Sequence, residues 1–570
     1  MERQTVAAKI DRTPADRWLI WVLALLIGFG IVLRFSYLDA KVYWGDEVFT
    51  SFRIAGYTLE EVTTELLDQR PRTVAELQST YQEPNEARSL FDTVRSLALD
   101  DPQHPPLYYL LDRGWEQLLG SSLAMRRGWA AICSLLLIPA AAGLAMELFR
   151  SRLAGWLAGA IVSLSPFHLL YAQEVREYGL WAGTIALAGW MLARALRRGT
   201  VLTWSAWALS LTLMLYTHLF SVIVAAGYVA AASYYLWRSP LPATAAPEID
   251  HTPQDTTPAG PKHWFYFLVS TGLAGVAFLP WIIATLQNLA TISRTNGFTG
   301  QAIALPILLH NWWLNLARPF ADWEPTGQVL ANPIAANGAI GLIALLLAAS
   351  LTDLARRQSL LARSLLWGLM GSQAITLVLL DVSQGGFRSA IIRYLVPCYL
   401  GLQLAVVGYL TRLHHQARSQ QRPNLARITW GVGLALMIAG VSSCVVITPA
   451  STWWNKQGSY AIGELAAAIQ PFDAPWIVAH DAFPRMFSLS YQLDSRAIMQ
   501  FTREDAQVNV PPSHDFLLFR GSSTVLDRLR ATNWRLDRRY QTSRIYPYLP
   551  PLDRQAQLWL DAIHQDQLIP

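Results

Sequence analysis

Residues 106–120 read PLYYLLDRGWEQLLG, and the topology of the whole chain turns on whether they cross a membrane. The stretch opens apolar, then carries Asp112, Arg113 and Glu116. A charge at span depth costs about 2.5–3.5 kcal/mol on insertion scales, so three of them argue against a crossing. Laid along the surface, a helix here sets Leu107, Leu110, Leu111 and Leu118 on one side at helical spacing. Pro105 and Pro106 fix its direction and start it without losing a needed donor. We read 106–120 as an interfacial helix.

Working outward, apolar runs long enough to span lie at about 18–38, 128–148, 153–172, 178–196, 264–286, 332–352, 363–381, 392–411 and 428–448. The run 203–237 is too long for one crossing of about 30 Å of hydrocarbon. Its middle, Tyr216-Thr217-His218, is polar enough for a turn, so two spans fit better than one. The total is then about eleven. With a cytoplasmic N-terminus, this parity collects the basic clusters on one side: Arg150 and Arg152; Arg194, Arg197 and Arg198; Arg238 and Lys262; Arg356, Arg357 and Arg363; and Arg412, Arg418, Arg422 and Arg427. A crossing at 106–120 would move the later clusters to the wrong face.

Composition agrees. The 570 residues are 52% hydrophobic and 15% charged, against about 25% charged in soluble domains. The 23 tryptophans suit helix ends at an interface. The net charge of +5 sits in short loops, as positive-inside topology requires, so it indicates no nucleic-acid partner. Cys133, Cys398 and Cys444 fall inside apolar runs and form neither a disulfide framework nor a metal spacing. Arg3, Lys9, Arg12 and Arg17 precede the first run without a small-residue cleavage site after it, which reads as an uncleaved span.

The expected organisation is a cytoplasmic tail over 1–17, a membrane domain over 18–448 and an external C-terminal α/β domain over 449–570. The first external loop, 39–127, is too long for a connector and carries a polar, helix-prone stretch from Leu59 to Ala98. Further external segments are 173–177, the turn near 218, 287–331 and 382–391. The proline-rich 239–263 reads as a linker. In the C-terminal part PWIVAH (475–480) and DFLLF (515–519) read as strands.

The residues able to do chemistry all fall on the external side. Asp46-Glu47, in YWGDEVFT, suits a general base or a cation-binding pair, or is a solvated loop. His104 precedes the interfacial helix; a lone histidine is more often structural. SPFHLLYAQEVREYGLWA (165–182) packs Gln173, Glu174, Arg176, Glu177 and Tyr178 between two spans. So many polar groups beside hydrocarbon must pair or line a cavity. His218 sits in the turn already noted. Arg388, Arg393 and Tyr394 lie at an external span end; arginine forks suit phosphate, with headgroup anchoring as the bland alternative. There is no Walker A loop, dinucleotide fingerprint or HExxH helix.

An external Asp-Glu after the first span, HPPLYYLL (104–111) and SPFHLLYAQEVREYGL (165–180) together resemble the membrane glycosyltransferases of the GT-C fold, in particular the protein O-mannosyltransferase and aminoarabinose-transferase clan. The resemblance covers roughly 18–410 and leaves the last ~120 residues uncovered. It implies a polyprenyl-phosphate sugar donor, a protein, lipid or glycan acceptor, and transfer on the external (periplasmic) face of the plasma or inner membrane, among membrane lipids. It also implies Asp46 as the base deprotonating the acceptor, with Glu47 assisting. Glu174 and Arg176 would then bind donor phosphate or acceptor, with Gln173, Tyr178 and His218 beside them. His104, Arg388, Arg393 and Tyr394 map onto a donor pocket. Some relatives carry Asp where this chain has Glu174, so a divalent cation stays an open expectation and its ligands unassigned. The alternative class is a non-enzymatic transporter or lipid flippase, which inverted repeats and spans broken near midplane would mark; no convincing repeat is visible.

Overall fold

The computed structural model describes residues 14–239, 260–295, 297–324, 333–456, 458–480, 483–503, 515–520, 526–527, 534–541 and 559–565. Most of the expected tail over 1–17 and of the expected linker over 239–263 lies outside these. The protein is a polytopic α-helical membrane protein with a small sheet built mainly from its C-terminal part. Among the described residues eight helices are long and apolar enough to cross: Arg17–Arg34, Leu123–Phe149, Tyr178–Arg198, Pro261–Gln287, Ile334–Arg357, Leu360–Gln384, Ile392–Ser419 and Pro423–Ile447. The pair Arg152–Ser163 and Pro166–Ala172, bent by 59°, makes a ninth. The run 203–237 folds as two helices, Val201–Leu215 and Ser221–Arg238, as its split predicts, and neither is among those nine. Leu25, Val32, Leu268, Val276, Leu342, Leu345, Leu434 and Ile438 all face outward, as lipid contact requires.

Local chemistry explains the breaks. Pro166 disfavours the helical region for Ser165, which is extended at φ −72°, ψ 120° and caps the next helix by accepting from the His168 amide. This bend delivers residues 173–177 to the helix ends. The helices Ser221–Arg238 and Leu360–Gln384 meet backbone to backbone: a Cβ on Gly227 would collide with the Gly368 carbonyl oxygen, and one on Gly368 with that of Gly227. Small residues permit such contact where no hydrophobic force drives helices together.

The interfacial helix is present as Leu107–Leu119, and its polarity is inverted relative to a soluble helix. Tyr108, Tyr109, Asp112, Arg113 and Glu116 are buried against protein, whereas Leu118 is 83% exposed and Leu111 and Leu119 also face out. Arg113 donates to the Ile54 and Arg88 carbonyls, and Glu116 lies 3.3 Å from Arg126. Arg113 and Glu116 are thus paired inside the fold, and the leucine edge is left for lipid.

The segments read as external meet at one end of the bundle. The Leu219 amide donates to the Gln103 carbonyl, Phe387 to Thr299, and Val42 to Ser451. At the opposite end Ser151 contacts His415 at 3.3 Å and Gly199 abuts His263, among the basic loops.

The stretch Leu59 to Ala98 folds into helices Leu59–Leu66, Val74–Tyr81 and most of Leu90–Asp100. It also supplies a strand, β1 (Arg72–Thr73). The other strands are β2 (Trp476–His480), β3 (Ile498–Thr502), β4 (Phe516–Phe519), β5 (Trp534–Gln541) and β6 (Trp559–Gln565). Their order is β1-β3-β2-β4-β6-β5; β2 runs parallel to β3 and β4, and the remaining pairs are antiparallel. PWIVAH and DFLLF are therefore the two central strands β2 and β4. One apolar core joins Val48, Phe52, Val62 and Leu77 from the segment 39–127 to Ile462, Leu465, Ile477, Met486 and Phe501 from the C-terminal part.

Candidate functional site

Helix Gly45–Ala55 follows the first span and places Asp46 and Glu47 at its start. Consecutive helical residues point about 100° apart, so the two carboxylates diverge. Glu47 is fully buried, held through both oxygens by Arg127 (2.9 and 2.9 Å) and by Lys456 Nζ at 3.1 Å. It also accepts from the Val175 and Trp44 amides at 3.1 and 3.2 Å. Asp46, with its side chain 26% exposed, faces a cavity, where Oδ2 lies 3.7 Å from Arg393 Nη2.

Residues 173–177 split the same way. Gln173 donates to the Leu33 and Ser36 carbonyls (3.0 and 2.9 Å), satisfying the end of the first span, and accepts from Lys41 Nζ at 3.0 Å. Glu174 pairs with Lys456 at 3.1 Å and accepts from Asn455. Arg176 turns the other way. It donates to Thr50 Oγ1 (3.1 Å) and His104 Nε2 (3.0 Å).

The cavity holds about 960 Å³. Eight of the eleven candidate residues line it: Asp46, His104, Arg176, Tyr178, His218, Arg388, Arg393 and Tyr394. Glu47, Gln173 and Glu174 do not; they form the buried ionic knot beside it. Arg294 also lines the cavity, as do Phe220, Ile223, Ile292, Leu377 and Leu380 on its apolar side. Arg388 is anchored by Asp381 at 3.3 Å and the Gly385 carbonyl at 2.8 Å. Tyr394 meets Phe220 edge-on at 5.0 Å. The chamber's lining thus combines guanidinium groups and apolar side chains with the carboxylates of Asp46, Glu60, Asp100 and Asp101.

Sequence reasoning passed over Lys41, Arg127 and Lys456, which no local pattern marks, and gave Glu177 no role. Glu177 is fully buried and lies 2.9 Å from His104 Nδ1, 3.7 Å from Arg176 Nε and 3.8 Å from His218 Nε2. Burial would raise its carboxyl; Arg176, His104 and His218 outweigh that and hold it well below the usual range. His104, Glu177 and His218 offer ligand atoms within 4.8 Å of one another, the one such group among the described residues. The set does not fit a divalent cation as it stands. Arg176 already donates to His104 Nε2, and the Phe220 amide donates to His218 Nδ1 at 3.1 Å, which leaves the His218 proton on Nε2. Burial pushes His218 down to about 3, so that ring is neutral.

The ionic knot carries a pH signature. Burial pushes Glu174 up to about 7 from its ordinary 4.5, with Lys456 opposing. Burial, with Arg127 and Lys456 adding to it, pushes Lys41 down to about 7 from 10.5. An acid whose proton affinity rises on folding loses stability as pH climbs from 4.5 through 7. An amine whose affinity falls regains stability as pH climbs from 7 toward 10.5. Thermal unfolding in detergent is therefore expected to show these two groups' contribution at a minimum near pH 7. Glu174→Gln should flatten only the acid limb and Lys41→Met only the alkaline one; unchanged limbs in both variants would contradict the assignment.

No protein-family model matches the chain, and no curated protein does. Among solved structures it is similar to ArnT from Cupriavidus metallidurans bound to undecaprenyl phosphate, at 15% identity over 95% of this chain and 98% of that one, with a TM-score of 0.48. It is also similar to the Archaeoglobus fulgidus oligosaccharyltransferase tethered to an acceptor peptide, at 11% identity over 85% and 64% of the two chains, TM-score 0.42. A third is the arabinofuranosyltransferase AftD from Mycobacteria, at 14% identity over 96% and 40%, TM-score 0.45.

Proposed function

We propose that this protein is a glycosyltransferase that moves a sugar from a polyprenyl-phosphate donor to an acceptor hydroxyl on the non-cytoplasmic face, with inversion at the sugar carbon. The observation that carries this is the pairing of Asp46, a solvent-reachable carboxylate, with Arg393 inside a cavity lined by both guanidinium groups and apolar side chains. A lipid-linked sugar phosphate has the matching polarity. The isoprenoid fits beside Phe220, Ile223, Leu377 and Leu380, and the phosphate beside Arg393 and Arg176.

In the step itself, Asp46 takes the proton from the acceptor hydroxyl as its oxygen attacks the anomeric carbon. The bond from that carbon to the phosphate oxygen breaks, and polyprenyl phosphate leaves with its growing charge met by fixed guanidinium groups. Arg393 spans both tasks, since it sits against Asp46 and can reach the leaving phosphate. The buried position of Glu47 favours a supporting role for it: it holds the helix that presents Asp46.

The test supplies purified protein in detergent with defined polyprenyl-monophosphate hexoses and pentoses and measures released polyprenyl phosphate. Turnover with a monophosphate donor is expected. Arg393→Ala should lower kcat/KM about 10- to 100-fold, the loss of a charge-assisted contact of about 1.5–3 kcal/mol. Movement of intact lipid across a bilayer without sugar transfer would favour a flippase instead.

A further inference from the structure

Glu177 touches three cavity-lining side chains from behind without lining the cavity itself. We propose that Glu177 is a positioning residue that presets the Arg176 guanidinium, together with the His104 and His218 rings, to receive an anionic phosphate group of the donor lipid. This rests on the functional reading above and adds to it the residue that aims the phosphate-binding group.

The geometry gives each oxygen a task. Oε1 lies against His104 Nδ1 and His218 Nε2. Oε2 accepts from Tyr109 Oη at 3.2 Å and lies against Arg176 Nε. Tyr109 belongs to the interfacial helix Leu107–Leu119, so the carboxylate is tied to that helix as well. With Nε facing Glu177, the two terminal nitrogens of Arg176 reach Thr50 and His104. Nη1 also donates to the Asp46 carbonyl at 3.4 Å, which occupies both of its N–H groups, so the second N–H of Nη2 remains for a ligand. On a fixed guanidinium, that N–H is a charge-assisted donor of the kind that recognises phosphate. His218 is fixed further by stacking on Trp181 at 4.4 Å and 18°.

Three roles for Glu177 give different results. Glu177→Gln keeps the shape and one acceptor oxygen but turns an amide toward Arg176. If Glu177 aims Arg176, the variant should bind polyprenyl phosphate about tenfold more weakly and lose kcat/KM in proportion, as expected for a displaced charge-assisted contact. If the carboxylate only tempers the local field, removing its charge should tighten phosphate binding. If it is only structural, the melting temperature should drop while Kd and kcat of the folded fraction stay unchanged.

The experiment uses the full chain in detergent, with polyprenyl phosphate as the binding probe and thermal unfolding as the fold control. Weaker binding in Glu177→Gln, with activity partly recovered in Glu177→Asp, supports the proposal. Equal or tighter binding overturns it. So does Zn²⁺ alone raising the melting temperature of the wild type and losing that effect in Glu177→Gln, since the cluster would then be a metal site. A wild type that transfers no sugar sinks the functional reading, yet the comparison of Kd values still decides the role of Glu177.

Discussion

Asp46→Asn is expected to lower kcat for sugar transfer by about 10²- to 10⁴-fold, the range a positioned general base contributes. The substitution keeps the size of the side chain and its place at the start of helix Gly45–Ala55. It removes the only property the proposed step needs, a lone pair basic enough to take a hydroxyl proton. Asp46 makes its ion pair with Arg393 at the long distance of 3.7 Å and is partly open to solvent. Little of the fold therefore depends on it, since exposed pairs contribute only about 0–1 kcal/mol. Binding of polyprenyl phosphate should be retained or strengthened, because Arg393 loses a competing anion. Transfer within tenfold of the wild type by a folded Asp46→Asn protein would end the assignment of Asp46 as base.

Much of the fold was legible because membrane insertion imposes simple rules. Apolar length marks spans, and loop arginines mark one side. Those rules located the split in 203–237 and the surface helix after Pro106. They could not reveal that Asp112, Arg113 and Glu116 turn into the protein, since hydropathy reports how costly a charge is and not which neighbour satisfies it. Nor could they show β1 joining a sheet otherwise built from residues beyond 475, because two residues carry no periodicity.

The candidate site was legible to the level of segments and not of side chains. Sequence brought Asp46, His104, Glu174, Arg176 and Arg393 into one group, and the cavity holds all of them but Glu174. Yet adjacent residues parted company. Asp46 and Glu47 diverge on a helix, and Glu174 and Arg176 diverge along a short irregular loop whose direction no spacing rule predicts. Lys456 lies more than 400 positions from Glu47 and reaches it only through the fold.

That divergence makes Glu47 the source of the second large effect, on stability. Its carboxylate faces Arg127 and Lys456, and all three side chains are fully buried. Burial alone would raise its carboxyl; the two cations outweigh burial and hold it down to about 2, so it is ionised at any working pH. Glu47→Ala leaves Arg127 without its carboxylate partner and Lys456 with only Glu174. Breaking a buried pair from one side costs about 3–5 kcal/mol, a large share of the 5–15 kcal/mol that holds a typical fold. Glu47→Ala should therefore unfold at a much lower temperature in detergent, with poor recovery from the membrane fraction. Adding Lys456→Met to Glu47→Ala should restore part of the loss, because it removes one of the two stranded cations, although it in turn strips Glu174 of its lysine. The opposite outcome is equally clear. A Glu47→Gln protein that unfolds like the wild type and transfers no sugar would move Glu47 from the scaffold into the chemistry, beside Asp46.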